Sequence, residues 1–356
     1  MKTLRSYAIL IPLFLAPISG FSQSHVKLSK QIDSILTGEK KQNIINGNVL
    51  VIQNDQVVYE KSFGFADPEQ KTRLTKNTKF LIGSIYKEFP GVAIMQLHEK
   101  GLINVENTID KYLPNLPAWA KQISIKNLLQ YSGGLPDINS KKYPAEQFIS
   151  SEDVFNDLMK IEKLEYTPGT SYIYTNYSPL LLMKIVEKVS GKSFDDYTKT
   201  SLFSGAHIVS ESQYPYVNKK NLATAYNTKL EPDSYKIKIP FLFVSDAYGL
   251  YDWFKRIDEN SMISETSKMF LGKTANIVSE KSLQSPFGYL ATAKDSTTQT
   301  IAVKEHSHDG SFGNFKTIAR RFNDEKLSII ILTNQNTNNV FQISNDIYKL
   351  VAKKIK

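Results

Sequence analysis

Residues Phe80–Gly101 read FLIGSIYKEFPGVAIMQLHEKG, and the rest of the chain is organised around them. Ser84 and Lys87 stand three residues apart at the head of an apolar run closed by Gly101. On a helix, positions three apart share a face, so the lysine amine would lie beside the serine hydroxyl. A serine hydroxyl is a weak nucleophile at neutral pH unless a neighbouring base takes its proton. Lysine serves as that base when burial or a second cation lowers its pKa. Ile82, Ile85, Phe89, Val92, Ile94 and Leu97 leave little polar surface on the predicted helix Ser84–Lys100, which is therefore expected inside the protein. The spacing alone is weak, since a chain of this length holds about one or two Ser-x-x-Lys matches by chance. A second match, Ser24 and Lys27, sits in a polar stretch with no apolar run after it.

Upstream, Val26–Lys40 has the pattern of an amphipathic helix, and Gly47–Gln53 and Gln56–Phe65 read as strands around Asn54-Asp55. Downstream, Phe287–Lys294, Thr300–His306, Asn314–Asn323 and Lys326–Thr333 are rich in β-branched and aromatic residues, with a turn at Asn323-Asp324-Glu325. A closing helix carries Val340, Ile343, Ile347 and Val351 on one face and Lys353, Lys354 and Lys356 at its end. Between Leu102 and Pro240, prolines, tyrosines and short helical patterns dominate. There Ser178 is expected to cap a helix, with Pro179 in its first turn and Gly191 ending it. The expected fold is α+β: an antiparallel sheet flanked by helices and formed from both chain ends (about 25–101 and 241–356), with a mostly helical lobe (about 102–240) inserted.

The chain opens MKTLRSYAILIPLFLAPISGFSQS: Lys2 and Arg5, an apolar run, then small residues. That is the order of a secretory signal peptide, expected over 1–22, and the run is short for a membrane span. The protein is expected to be exported, periplasmic or secreted, with no stable membrane anchor. At 356 residues the chain exceeds the usual size of a single core, so two lobes or two domains are expected. With no cysteine, disulfides, thiolate metal sites and a cysteine nucleophile are excluded. The net charge of +9, or +7 without Lys2 and Arg5, is scattered rather than clustered, which excludes nucleic acid as the expected partner.

Five blocks in order carry a family resemblance: GSIYKEFPGVAIMQLHEKG; IDKYLP with LLQYSGGLPD (Leu128–Asp137); Thr167–Phe194 with Tyr174-Thr175-Asn176; HDGSFGNF (His308–Phe315); and IIILTNQ. The chain resembles the serine β-lactamase and penicillin-recognising peptidase superfamily, in particular the branch with class C β-lactamases, D-alanyl-D-alanine carboxypeptidases, D-aminopeptidases and related esterases. The resemblance spans about Gly47 to Gln335 and implies a β-lactamase/transpeptidase-like catalytic domain over 25–356. It implies Ser84 as the acylated nucleophile, Lys87 as helper in its deprotonation, and Tyr174 as a proton shuttle. Asn176 would hold Lys87 and the substrate amide, and His308 and Gly310 match the third motif. The backbone N–H groups of Ser84 and Ser311 would form the oxyanion hole. No cofactor and no metal are implied. An ammonium beside Tyr174 would favour its phenolate and make it a usable base.

Other readings of the same residues stay open. A second Tyr-x-Asn stands at Tyr216–Asn218, and His306 with His308 could share a strand face as metal ligands, although no third ligand is spaced for it. His25, His98 and His207 read as ordinary packing or solvent residues. Tyr86 stands where the family has a small residue, Asp309 where it often has threonine, and Pro90 inside the helix, at a cost of roughly 3 kcal/mol unless relieved. The helical segment after Gly249 looks abbreviated. The leading expectation is an exported serine hydrolase working through an acyl-enzyme on amide or ester bonds. Its expected substrates are small molecules or peptides: D-amino-acid peptides, esters or cell-wall-derived fragments, with weak β-lactamase activity. The alternative is a catalytically weak relative that binds penicillins or muropeptides as a sensor. The sequence assigns no oligomeric state.

Overall fold

Two stretches that are apolar without alternation, GNVLVIQ and LSIIILT, pair with each other in the middle of one sheet. The computed structural model describes residues 19–37, 46–139, 142–144, 147–217, 220–239, 242–277, 283–294, 301–336 and 339–352. Its main sheet has six strands: Gly47–Gln53 (β1), Gln56–Phe63 (β2), Tyr289–Lys294 (β3), Ile301–Phe312 (β4), Phe315–Phe322 (β5) and Leu327–Thr333 (β6). They lie in the order β3-β4-β5-β6-β1-β2, every neighbouring pair antiparallel. The helices that matter to the site and its support are Ser19–Thr37 (α1), Glu88–Glu99 (α2), Tyr177–Ser190 (α3), Ala247–Asp258 (α4) and Val340–Ala352 (α5).

Alternate strand residues face opposite ways. Val49, Val51, Ile329 and Ile331 pack in one core with Ile32 of α1 and Ile343 and Ile347 of α5. Leu50, Ile52, Ile330 and Leu332 pack in the other with α2, α3 and α4. Helices on both faces remove the need for a polar side, which is why these strands read as unbroken apolar runs. A sheet drawn from both ends of the chain and flanked by helices is the α+β architecture expected.

Several expected elements differ in detail. The span assigned to an export signal lies outside the described residues up to residue 18, and α1 begins at Ser19, inside it. Among the described residues no helix is long and apolar enough to cross a membrane. The third-motif block is part of a strand, because β4 runs on past His306 to Phe312. The predicted helix Ser84–Lys100 is a 3₁₀ turn, Gly83–Lys87, followed by α2. Pro90 therefore falls in the first turn of α2, where a missing N–H costs far less than in a helix interior. Ser178 does not cap α3: the cap position is Asn176, and Thr175 Oγ1 accepts from the Tyr177 N–H at 3.2 Å. Gly191 ends α3 in the left-handed region, as expected.

The middle of the chain also carries strands too short to show alternation. Ile208–Glu211 and Phe80–Leu81 both pair with Leu242–Ser245, and Ile149–Ser150 pairs in parallel with Ile237–Lys238. The segment around Gly249 forms the 12-residue α4, whose cap Asp246 accepts from the Gly249 N–H at 2.9 Å.

Candidate active site

The 3₁₀ geometry explains the Ser84–Lys87 spacing better than an α-helix does. With three residues per turn, side chains at i and i+3 eclipse. Lys87 Nζ lies 3.0 Å from Ser84 Oγ. Two glycines let the backbone of β4 meet this turn. Gly83 sits at φ +53°, and a Cβ there would stand 2.3 Å from the Ser311 nitrogen. A Cβ on Gly310 would stand 1.9 Å from the Ile82 carbonyl oxygen. Thr317, opposite Gly310 in the register, donates its hydroxyl to that same carbonyl at 3.0 Å. The turn carrying Ser84 is thus fixed against the strand carrying Ser311, and both residues line one cleft of about 160 Å³.

Lys87 is only 3 % exposed. Burial brings its pKa down to about 7, against the opposing pull of the Asp137 and Asp309 carboxylates. Near neutral pH a large share of the amine is therefore unprotonated and able to accept the Ser84 proton. The rings of Tyr86 and Tyr174 each stand 4.8 Å from its nitrogen. The Tyr174 hydroxyl bonds to Ser84, but burial pushes its pKa well above that of an ordinary phenol. The expected phenolate is therefore corrected: Tyr174 keeps its proton at neutral pH. The sequence showed the ammonium as its neighbour but not the exclusion of water, and the latter dominates.

Asn176 lines the cleft, and its Oδ1 accepts from the Tyr86 hydroxyl at 3.1 Å. Lys87 lines the same cleft, with its nitrogen 4.8 Å from the Tyr86 ring. Tyr86 itself is buried and stacks on Phe243 at 6.2 Å, so the large residue forms the cleft wall. His308 is 3 % exposed and is set back from the cleft lining. Its Nδ1 lies 2.7 Å from the Asp309 carbonyl oxygen, which can only accept, so Nδ1 carries the proton. Burial lowers the His308 pKa, outweighing the pull of Glu88 and Asp309. Asp309 and Ser311 are exposed, and Lys316 Nζ donates to Ser311 Oγ.

Behind the nucleophile lies a cluster that sequence reading missed. Glu88, next to Lys87, is fully buried. Its carboxylate accepts from the Trp253 indole at 2.6 Å and lies 3.0 Å from His306 Nε2. His306 stacks on Phe254 at 4.3 Å. This pairing turns His306 away from the metal-ligand reading, and among the described residues no group of three metal-binding side chains occurs. Glu88 and His306 are 218 residues apart, so only the weak hint of a glutamate inside an apolar helix marked the site.

The other candidates take ordinary places. Tyr216 is buried edge-on against Tyr214 at 5.2 Å, and Asn218 lies outside the described residues. His98 Nδ1 bonds the Ile103 carbonyl and His207 Nδ1 pairs with Asp246, each at 2.8 Å. Lys27 is exposed on α1, and the side chains of Ser24 and His25 lie outside the described residues.

A penicillin-binding protein of Bacillus subtilis is 28 % identical over 330 residues, covering 84 % of this chain and 69 % of its own. Among solved structures, an octameric penicillin-binding protein homologue from Pyrococcus abyssi superposes with a TM-score of 0.73 at 22 % identity, covering 93 % of this chain and 77 % of the other. A D-amino acid amidase from Ochrobactrum anthropi does so with a TM-score of 0.73 at 15 % identity, covering 93 % of this chain and 100 % of the other. The family model described as Beta-lactamase matches residues 32–354, a span that takes in the Ser84 turn, Tyr174-Thr175-Asn176 and strand β4 alike. The chain belongs to that family, within the superfamily of serine β-lactamases and penicillin-binding proteins.

Proposed function

We propose that the protein is an exported serine hydrolase that cleaves amide or ester bonds through an acyl-enzyme on Ser84. The observation that carries this reading is a buried lysine with a pKa of about 7, held 3.0 Å from the serine oxygen. Neutral Lys87 takes the Ser84 proton as Oγ attacks the substrate carbonyl. The oxyanion is received by the backbone N–H groups of Ser84 and Ser311. Tyr174 gives its phenolic proton to the departing amine or alcohol and regains one from the Lys87 ammonium. Water then attacks the acyl-enzyme by the same route in reverse, returning Ser84 and releasing the acid.

The cleft supports esters, D-amino-acid amides and peptides without a carboxylate beside the scissile bond over β-lactams as substrates. A β-lactam carries a carboxylate, and near Lys87 the site presents the Asp137 and Asp309 carboxylates and a neutral His308. Lys316, bonded to the neutral Ser311 hydroxyl, keeps its charge and offsets only part of the two carboxylates. A solved neighbour of the same fold is named as a D-amino acid amidase and another as a hydrolase with promiscuous acyltransferase activity, which fits this preference. The test is intact-mass analysis after a fluorophosphonate and after a penicillin, with nitrophenyl-ester turnover. One adduct on Ser84, lost with turnover in Ser84→Ala, is expected. Labelling that persists in Ser84→Ala ends the reading, and a stable adduct without turnover favours a penicillin- or muropeptide-binding sensor. Amino-terminal sequencing of the protein recovered from the cell exterior tests export.

A further inference from the structure

Asn176 stands at the amino-terminal cap of α3 but does not cap it. Its side chain makes no bond to the helix, and Thr175 Oγ1 takes the Tyr177 N–H instead. An asparagine at this position normally spends its oxygen on the helix. Here that oxygen accepts from the Tyr86 hydroxyl at 3.1 Å. Among the described residues the Asn176 side chain has no hydrogen bond besides this one, and Lys87 Nζ is hydrogen-bonded to Ser84 Oγ alone. Asn176 and Lys87 line the same cleft without bonding each other. We propose that Tyr86 is a positioning residue for Lys87. By holding the Asn176 oxygen it keeps that acceptor off the lysine amine, whose hydrogen bond is left to the serine it serves. This inference rests on the serine hydrolase reading above and adds a residue to its machinery.

Tyr86 is held rigidly for this task. It lies on the same 3₁₀ turn as the eclipsed pair Ser84 and Lys87, a third of a turn before the lysine. Its ring is buried and stacks on Phe243 with 16° between the planes. Burial pushes its pKa well above that of an ordinary phenol, so the hydroxyl stays a donor at every working pH. What it withholds from Lys87 matters because most neighbours already favour the ammonium. The Asp137 and Asp309 carboxylates pull that way, and the rings of Tyr86 and Tyr174, each 4.8 Å off, do so more weakly. His308, on β4, is neutral, and Glu88, next in the chain, spends its carboxylate on Trp253 and His306. Burial alone favours the neutral amine. An amide oxygen bonded to Nζ would add one more pull towards the ammonium. A small residue at position 86 would leave the Asn176 oxygen without this donor, in the cleft that Lys87 also lines.

The test is the pH dependence of fluorophosphonate labelling of Ser84, with kcat/KM for nitrophenyl acetate alongside. The proteins are the wild type, Tyr86→Phe, Asn176→Ala and the double variant. Tyr86→Phe keeps the ring and its stacking and removes the donor alone. Its acidic limb is expected to move up by about one to two pH units, the size of a hydrogen bond to a charged group. Asn176→Ala alone is expected to leave the limb at its wild-type position, and the double variant to return there. A limb that does not move in Tyr86→Phe, or is not restored in the double variant, overturns the positioning role and leaves the hydrolase reading standing. A limb that falls in Asn176→Ala alone shows the asparagine already bonded to the lysine and overturns the role as well. That arm decides by itself if Tyr86→Phe does not fold. No labelling and no turnover in the wild type overturns the hydrolase reading and this inference together.

Discussion

If Lys87 is the base proposed above, one buried residue bears on both the rate and the stability of this protein. Its pKa falls from an ordinary 10.5 to about 7 because burial penalises the ammonium. If the neutral amine is the base, kcat/KM for an ester rises through about pH 7 and then levels. Tyr174→Phe should slow acylation by about 10²–10⁴-fold, the usual loss of acid–base help, yet leave that acidic limb in place. A limb that vanishes with Tyr174 would make the phenol the titrating base. The same shift carries a stability consequence with a definite sign. The unfolded chain holds the lysine proton up to about pH 10.5, while the folded chain releases it near 7. The penalty is therefore complete below about pH 7 and relieved as pH rises towards 10.5. Lys87→Met should stabilise the fold by about 2–5 kcal/mol at pH 6, less at pH 9, while abolishing turnover. Thermal melts at the two pH values check this, and an equal gain at both would refute it.

At the scale of the element, the junction between the 3₁₀ turn and α2 positions Ser84, the proposed nucleophile, and Glu88 is its anchor. The carboxylate ties α2 to Trp253 on α4 and to His306 on β4. Breaking one side of a buried pair leaves polar groups stranded, whereas replacing both partners with apolar side chains does not. Glu88→Ala should cost about 3–5 kcal/mol, and Glu88→Leu with His306→Leu clearly less. Urea unfolding of the three proteins measures the difference, and a single variant no worse than the double would remove the anchor role. The sequence made the nucleophile block legible because its signal is local: an apolar run, a fixed spacing and a terminal glycine. Strands β1 and β6 were legible for the same reason. The Glu88–His306 contact was not, because nothing local in KEF or KEHSH links residues so distant in the chain. The cap of α3 was misread because Ser178-Pro179 looks like a cap and first turn, while the bond to the Tyr177 N–H comes from Thr175.

Across the whole molecule, the proposed substrate preference rests on charges gathered from separate parts of the fold. Asp137 comes from the segment after Leu128–Leu129, Asp309 and His308 from β4, and Lys316 from β5. Their sum near Lys87 disfavours a substrate carboxylate, so nitrocefin should be turned over at least tenfold less efficiently than a nitrophenyl ester at pH 7. Parallel kcat/KM measurements check this, and nitrocefin winning by tenfold would sink the charge argument. The charge types were readable in the sequence. The neutrality of His308 was readable only in part, since Asp309 beside it argued the other way until burial settled the balance. The strand order has a consequence for biogenesis. β1 is hydrogen-bonded to β6, so an early strand waits for one of the last to be made before its inner edge is closed. At roughly 5–20 residues per second, the ribosome needs some tens of seconds to deliver that partner. Ser84 and Lys87 emerge early, but Ser311 and the wall that desolvates the lysine arrive late. On the proposed mechanism a nascent chain would carry an inert serine, and hydrolytic competence would appear only when synthesis is nearly complete, a timing written into the topology.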